Sequence, residues 1–331
     1  MAMSYLIKPL ETYNLSLKNR LVMPPMATAK ADDEGRITED IINYYDEKSK
    51  GGYISLIIIE HSFVSPEGKA SDRQMSVAND SVMDGLRKLA DTIHKNGTKA
   101  VMQISHAGSA TTREITGYDP VAPSAVPNPR KGGAIPVELT KVQIKNIVQK
   151  YKEAAIRVKE AGFDGVEIHS AHGYLLNQFL SPLTNKRTDE YGGDIYGRIR
   201  IHLEIIKEIR SALGNSYPIF LRLGATDKKE GGTTIEDSIK ASIEFEKAGV
   251  NILDISGGFC GFDFPGEGYF APLSADIKKA VNIPVMVTGG IKDVQAAESI
   301  LKEGKADLIG VGRAILHDSN WAKKAIEELS C

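Results

Sequence analysis

Short apolar runs and longer amphipathic stretches alternate along the whole chain. The runs begin near Leu21 (LVMPPM), Leu56 (LIIIEH), Ala100 (AVMQIS), Gly165 (GVEIH), Ile219 (IFLRL), Ile252 (ILDIS), Pro284 (PVMVT) and Leu308 (LIGVG). Each has the length of a buried strand. Between and after them, apolar positions recur at helical spacing over 38–50, 79–96, 140–161, 197–213, 234–248, 274–281, 294–303 and 321–329. Thr140 and Thr234 stand where a hydroxyl can accept from the free N–H groups of a first turn. Gly97, Gly162, Gly214, Gly249 and Gly304 stand where helices stop, because a C-terminal cap favours positive φ. Strand–helix alternation repeated eight times in 331 residues predicts the α/β class. The specific expectation is a single (β/α)8 TIM barrel domain over 1–331. A doubly wound sheet is the alternative, but eight units without a break in composition favour closure.

In a barrel, the polar residues of these runs gather at one end. Glu60, His61, Gln103, Ser105, His169, Arg222, Asp254 and Ser256 all lie at or near the carboxyl ends of their strands. Active sites of this architecture are built there, from the loops that follow. The loop after strand 3, 107–139, carries Gly108, Gly117, Pro120, Pro123, Pro127, Pro129, Gly132 and Gly133. Its length predicts a cap over the site.

Composition narrows the possibilities. A net charge of −2 gives no electrostatic footprint for nucleic acid or an anionic membrane. No run is long enough to span a bilayer, and the first twenty residues lack the apolar core of a signal peptide, so the expected location is the cytoplasm. Cys260 and Cys331 are too few for a four-cysteine iron–sulfur cluster or a disulfide framework. The expected partner is a small-molecule substrate, with a homo-oligomer compatible.

The segment 164–193, DGVEIHSAHGYLLNQFLSPLTNKRTDEYGG, carries the most chemistry. Its strand ends in His169 and His172, with the phenol of Tyr174 following. Two hydrogen-bond donors and a proton-bearing group at one strand exit suit stabilisation and protonation of an enolate. The two histidines could instead bind a metal, but no third ligand stands at a convincing spacing, and the site is read as metal-free. Glycines in Val287-Thr288-Gly289-Gly290-Ile291 and Gly310-Val311-Gly312-Arg313-Ala314, with the charge of Arg313, read as a phosphate grip. Arg222 interrupts an apolar strand and needs an anionic partner. Either a reduced flavin or an ion pair with Glu60 or Asp254 would serve. Gln103 offers a heterocycle edge both a donor and an acceptor.

Together these residues resemble the Old Yellow Enzyme family of FMN-dependent ene-reductases across essentially the whole chain. The matching pieces are LKNRLVMPPM (17–26), VMQISHAG (101–108), 162–193, FLRLGA (220–225), VTGGI (287–291) and IGVGRAIL (309–316), in the subgroup with His-x-x-His. The resemblance implies that FMN is held by backbone around Pro25, Met26 and Ala27, by His61, Gln103, Arg222 and Ser256, and at its phosphate by Gly289, Gly290, Gly312 and Arg313. It implies that His169 and His172 bind the activating oxygen of an unsaturated carbonyl or nitro substrate and that Tyr174 donates the proton. NADH or NADPH would supply electrons in a ping-pong cycle, directly, since the chain lacks the cluster cysteines of longer relatives.

Three positions depart from the family pattern. Ala27 stands where a Cys or Thr usually faces the flavin, and Ala29 where a tyrosine often closes over the substrate. His61 occupies a commonly small position, and it either compensates for the groups lost at Ala27 or fills the space they leave. A flavin-free aldolase or isomerase on a phosphorylated substrate would share the barrel and the grip, and a non-catalytic FMN-binding protein would share the flavin site.

Overall fold

The computed structural model describes residues 4–13 and 15–330, so Cys331 lies outside the described residues. Eight parallel strands close into a barrel in chain order. They are β1 (Leu21–Met23), β2 (Leu56–Phe63), β3 (Lys99–Ser105), β4 (Gly165–Ser170), β5 (Ile219–Gly224), β6 (Ile252–Ser256), β7 (Val285–Thr288) and β8 (Leu308–Gly310). The principal helices outside them are α1 (Glu39–Ser49), α2 (Met83–Lys95), α3 (Lys141–Glu160), α4 (Arg200–Leu213), α5 (Ile235–Ala248), α6 (Ala271–Lys278), α7 (Val294–Lys302) and α8 (Trp321–Ser330). The expected α/β barrel is the observed one. Among the described residues, no helix is long and apolar enough to cross a membrane.

Strand side chains alternate between two environments. Ile57, Ile59, Met102, Ile104, Val166, Ile168, Leu221, Leu223, Leu253 and Ile255 face outward into the core shared with the helices. Val22, Leu56, Ile58, Val101, Phe220, Ile252, Met286 and Leu308 fill the interior, with Leu15 and Leu17 from the amino-terminal hairpin Leu10–Thr12/Leu15–Leu17 packed among them. Phe220 is fully buried, and truncating it to Ala would cost on the order of 3–5 kcal/mol. Two residues further along β3, β5, β6 and β7, the same inward parity delivers Gln103, Arg222, Asp254 and Thr288.

Local chemistry sets the helix ends. Thr38, Thr140 and Thr234 each accept from a first-turn N–H, and Thr140 forms a capping box with Gln143. Gly97, Gly162, Gly214, Gly249 and Gly304 all have positive φ after their helices. Three expected helices differ in detail. Asn79 caps a 3-10 turn, Asp80–Val82, ahead of α2. The stretch at 197–213 breaks at Ile199, leaving the short helix Ile195–Arg198 before α4. The helix read from residue 274 begins earlier, at Ala271, because Pro272 fits a first turn that needs no N–H from it.

The capping loop after β3 is tied in place. Val121–Ala122 pairs with Val137–Glu138, and the Asn128 amide donates to Ser109 Oγ at 3.2 Å and to the Gly173 carbonyl at 3.0 Å. In β2 the register shifts between Ile59 and Ser62, so Glu60 and His61 together face Gln103 across the ladder. Such a bulge re-aims side chains at a barrel rim.

Candidate active site

A cavity of about 270 Å³ opens at the carboxyl end of the barrel. Pro25, Met26, Ala27, His61, Gln103, His169, His172, Tyr174, Arg222, Ser256, Gly289, Gly290, Gly312 and Arg313 all line it. Every residue that the resemblance assigned to cofactor or substrate is therefore brought to one place. Arg130, Lys131, Phe262, Tyr269, Thr288 and Lys292 line it as well and were missed. The adjacent cations Arg130-Lys131 in the capping loop, and Lys292 just after the Gly289-Gly290 pair, were the available signals; Phe262 offered none.

The floor is a polar tier above the apolar interior. Gln103 Nε2 donates to Glu167 Oε2 at 2.6 Å, and Thr288 Oγ1 donates to Asp254 Oδ1 at 3.3 Å. Arg222 Nε stands 3.2 Å from Asp254 Oδ2, yet neither atom makes a hydrogen bond among the described residues, so the pair is a charge contact without directional bonding. Asp254, not Glu60, is thus the protein's own partner for Arg222. Glu60 instead accepts from Thr28 N at 2.8 Å and Thr28 Oγ1 at 2.6 Å, tying down the loop after β1. Two buried carboxyls facing one guanidinium cannot both ionise cheaply. Burial, and then the charge of Asp254, push Glu167 up to about 8, while burial pushes Asp254 up to about 6.

One wall is a group of rings. Tyr174 lies 5.0 Å from His169 and 5.3 Å from His61, centroid to centroid, and His169 lies 5.2 Å from His172. His169 Nδ1 is buried without a partner among the described residues. An unpaired lone pair there costs less than an unpaired N–H, so the proton belongs on Nε2. His172 adopts φ 60°, a strained value for a residue with a side chain. Its N–H donates to the Gly257 carbonyl at 3.1 Å, its carbonyl accepts from Arg130 Nη1 at 3.0 Å, and its Nε2 meets Ser256 Oγ at 2.8 Å. Burial, reinforced by the charge of Arg222, holds both imidazoles well below the usual histidine range, so both are neutral. Burial also raises the Tyr174 phenol, against the opposing charge of Arg130. The phenol oxygen makes no hydrogen bond to the described residues.

Ala29, at φ 53°, does not line the cavity. The cover comes from the capping loop and the loop after β6. Arg130 lies over the Phe262 ring at 4.8 Å, and Phe262 meets His172 edge-on at 4.9 Å.

The far corner suits a phosphate. A Cβ on Gly290 would come within 2.5 Å of the Gly266 carbonyl, and one on Gly289 within 2.7 Å of the Tyr269 ring. Only glycine lets the backbone pass so close. Arg313 donates to Asp263 Oδ1 at 2.9 Å and to Tyr269 Oη at 3.3 Å. Arg130, Lys131, Arg222, Lys292 and Arg313 line the cavity, and among the described residues no Asp or Glu does. With Gln103 and the Arg222 guanidinium on the floor, this donor set fits FMN, whose phosphate is an anion and whose ring edge needs both donors and acceptors.

The sequence profile of the NADH:flavin oxidoreductase / NADH oxidase family matches residues 5–330. An NADH oxidase of Thermoanaerobacter brockii is 44% identical over 326 residues, which are 95% of this chain and 49% of the relative. A 2-naphthoyl-CoA reductase in complex with 2-naphthoyl-CoA superposes with a TM-score of 0.93 at 30% identity, over 98% of this chain and 52% of that one. The old yellow enzyme homologue of Zymomonas mobilis superposes with a TM-score of 0.85 at 26% identity, over 98% of this chain and 92% of that one. The chain spans about half the length of the curated relatives it matches. It belongs to the NADH:flavin oxidoreductase / NADH oxidase family, the old yellow enzymes, whose cofactor is FMN.

Proposed function

We propose that this barrel, as one FMN-binding domain, reduces activated C=C bonds of α,β-unsaturated carbonyl or nitro compounds. Electrons come from NADH or NADPH in a ping-pong cycle. The carrying observation is the wall that sets two neutral imidazoles beside a phenol with no hydrogen-bond partner among the described residues. Family membership supports this reading over a flavin-free aldolase or isomerase.

FMN, when held at this site, would supply hydride chemistry. His169 and His172 donate hydrogen bonds to the carbonyl or nitro oxygen, where negative charge accumulates as the β-carbon is reduced. Because both rings are neutral, they stabilise that charge without surrendering a proton to it. Ser256 orients His172, and the backbone bonds of His172 hold the strained turn that presents it. Tyr174 delivers its proton to the α-carbon. Gln103 and Arg222 would hold FMN, with Glu167 and Asp254 beneath them. Gly289, Gly290, Gly312 and Arg313 hold its phosphate.

Anaerobic stopped-flow tests the reading in two halves. NADH or NADPH should bleach the flavin absorbance of FMN-loaded protein, and cyclohexenone should restore it with formation of cyclohexanone. Initial rates against both substrates should give parallel double-reciprocal lines. Bleaching without recolouring by any enone or nitroalkene would overturn the C=C assignment. Failure of both nucleotides to bleach would overturn direct reduction.

A further inference from the structure

His61, which the resemblance places among the FMN-holding residues, and Gln74 have no part in the proton transfer described above. The chain returns after β2 so that Ser76 pairs with Phe63, and this brings Gln74 against His61. The Gln74 amide has two unambiguous backbone partners. Its Oε1 accepts from the Ala70 N–H at 2.6 Å, and its Nε2 donates to the His61 carbonyl at 3.0 Å. The NH2 end is therefore the end that meets His61 Nδ1, at 2.6 Å. An NH2 group has only protons to offer, so Nδ1 accepts, and the proton of the neutral ring sits on Nε2. Burial pushes the His61 pKa down to about 4, and the charges of Arg222 and Lys131 act in the same direction. The ring lines the cavity beside Tyr174, and Nε2 has no partner among the described residues.

We propose that Gln74 locks His61 as an Nε2–H donor, and that this donor serves the oxygen of Tyr174 after its proton has left. The inference rests on Tyr174 being the proton donor. In that transfer the Tyr174 O–H bond breaks, a C–H bond forms at the substrate α-carbon, and the electron pair stays on the phenol oxygen. Water later restores the proton. Burial opposes a phenolate at this place. Tyr174 faces His61 from β2, His169 from β4 and Arg130 from the capping loop. His169 is committed to the substrate oxygen, and Arg130 is engaged by the His172 carbonyl and Phe262. His61 is the uncommitted neutral donor. It and Gln74 are positioning residues, acting through Tyr174.

The test places 3,5-difluorotyrosine, whose phenol titrates near neutrality, at position 174 of the FMN-loaded protein and follows its ionisation by fluorine NMR. His61→Ala should lower the ionisation constant of this phenol about tenfold, the effect of one net hydrogen bond. His61→Gln retains an N–H near the same place and should leave the constant close to its starting value. Gln74→Met frees the tautomer and should give a smaller fall. Equal constants with His61 and with Ala would overturn the proposal, as would equal falls with Ala and Gln, which would mark a packing role. An unchanged constant in Gln74→Met would overturn the lock. A protein that never reduced an enone would sink the proposed function, yet this titration would still be readable.

Discussion

Replacing Glu167 with Gln isolates the charge balance of the barrel floor. Glu167 is fully buried, its Oε1 has no partner among the described residues, and its pKa is raised to about 8 by burial and by Asp254. In the unfolded chain a glutamate ionises near 4.3. The folded state therefore binds a proton that the unfolded state has already released. Stability from this group is complete below the unfolded pKa and is lost as pH rises through the folded one. The half-buried His61 and the buried His106, His169, His172 and His202 have lowered pKa values and act in the opposite direction. Their effect fades as pH rises through about 6.5 and beyond, where the unfolded-state histidines lose their protons as well, and it cancels between the native protein and the variant. Between about pH 6.5 and 8, one proton of difference changes stability by about 1.4 kcal/mol per pH unit, or roughly 2 kcal/mol in all. The Glu167→Gln variant would keep the acceptor for Gln103 Nε2 and carry no charge at this position. Urea unfolding of both proteins, side by side with FMN in fixed excess, should show the native protein losing about 2 kcal/mol relative to the variant across this window. Subtraction cancels every other group that titrates equally in both. A difference that stays flat with pH would refute a raised Glu167 pKa and the charge balance drawn from it.

His169→Ala should slow the enone-dependent half-reaction on the order of a hundredfold, since removing one donor to a developing oxyanion costs about 3 kcal/mol; single-turnover recolouring checks this. Arg313→Ala removes a fixed charge at the phosphate corner and should weaken FMN binding about tenfold to a hundredfold, read by flavin fluorescence titration. Gly290→Ala should cost far more FMN affinity than Gly304→Ala. Both glycines have positive φ, but a Cβ on Gly290 meets the Gly266 carbonyl and the Tyr269 ring, whereas one on Gly304 meets nothing within 4 Å. The Gly304 variant should lose only about 1 kcal/mol of stability by urea unfolding, from backbone strain.

How much was legible follows from which forces act locally. The strands announced themselves because an apolar run of a few residues has few ways to be buried, and the helix ends because Thr and Gly caps act within a few residues. Features that depend on distant returns of the chain were silent. Gln74 and His61 meet only because Ser76 pairs with Phe63, and nothing in either segment marks the partnership. Arg130 and Phe262 form the cover from two separate loops, where no periodicity constrains the side chains. Glu167 looked like one polar position in an alternating strand, and its significance arises from the proximity of Asp254, which belongs to β6. The choice between Glu60 and Asp254 as the neighbour of Arg222 also needed the register, which sets Asp254 directly beside it on the adjacent strand.

The apolar interior explains why so much of the site could nevertheless be located. Val101, Phe220, Ile252 and Met286 lie two residues before Gln103, Arg222, Asp254 and Thr288, so each apolar side chain and the polar one above it share a face. Sliding any one of these strands by a single residue would turn its apolar anchor out of the interior and swing its polar residue toward the helices. At β5 that means removing Phe220 from a filled tier and driving the Arg222 guanidinium into the apolar layer packed around Leu221 and Leu223, away from Asp254. Burying an unpaired charge costs more than the lost packing. The lower tier thus pins the register, and the register aims the floor of the cavity. Substitutions that loosen the lower tier, Phe220→Ala among them, should therefore reach FMN binding as well as stability, although they lie below the residues that touch it.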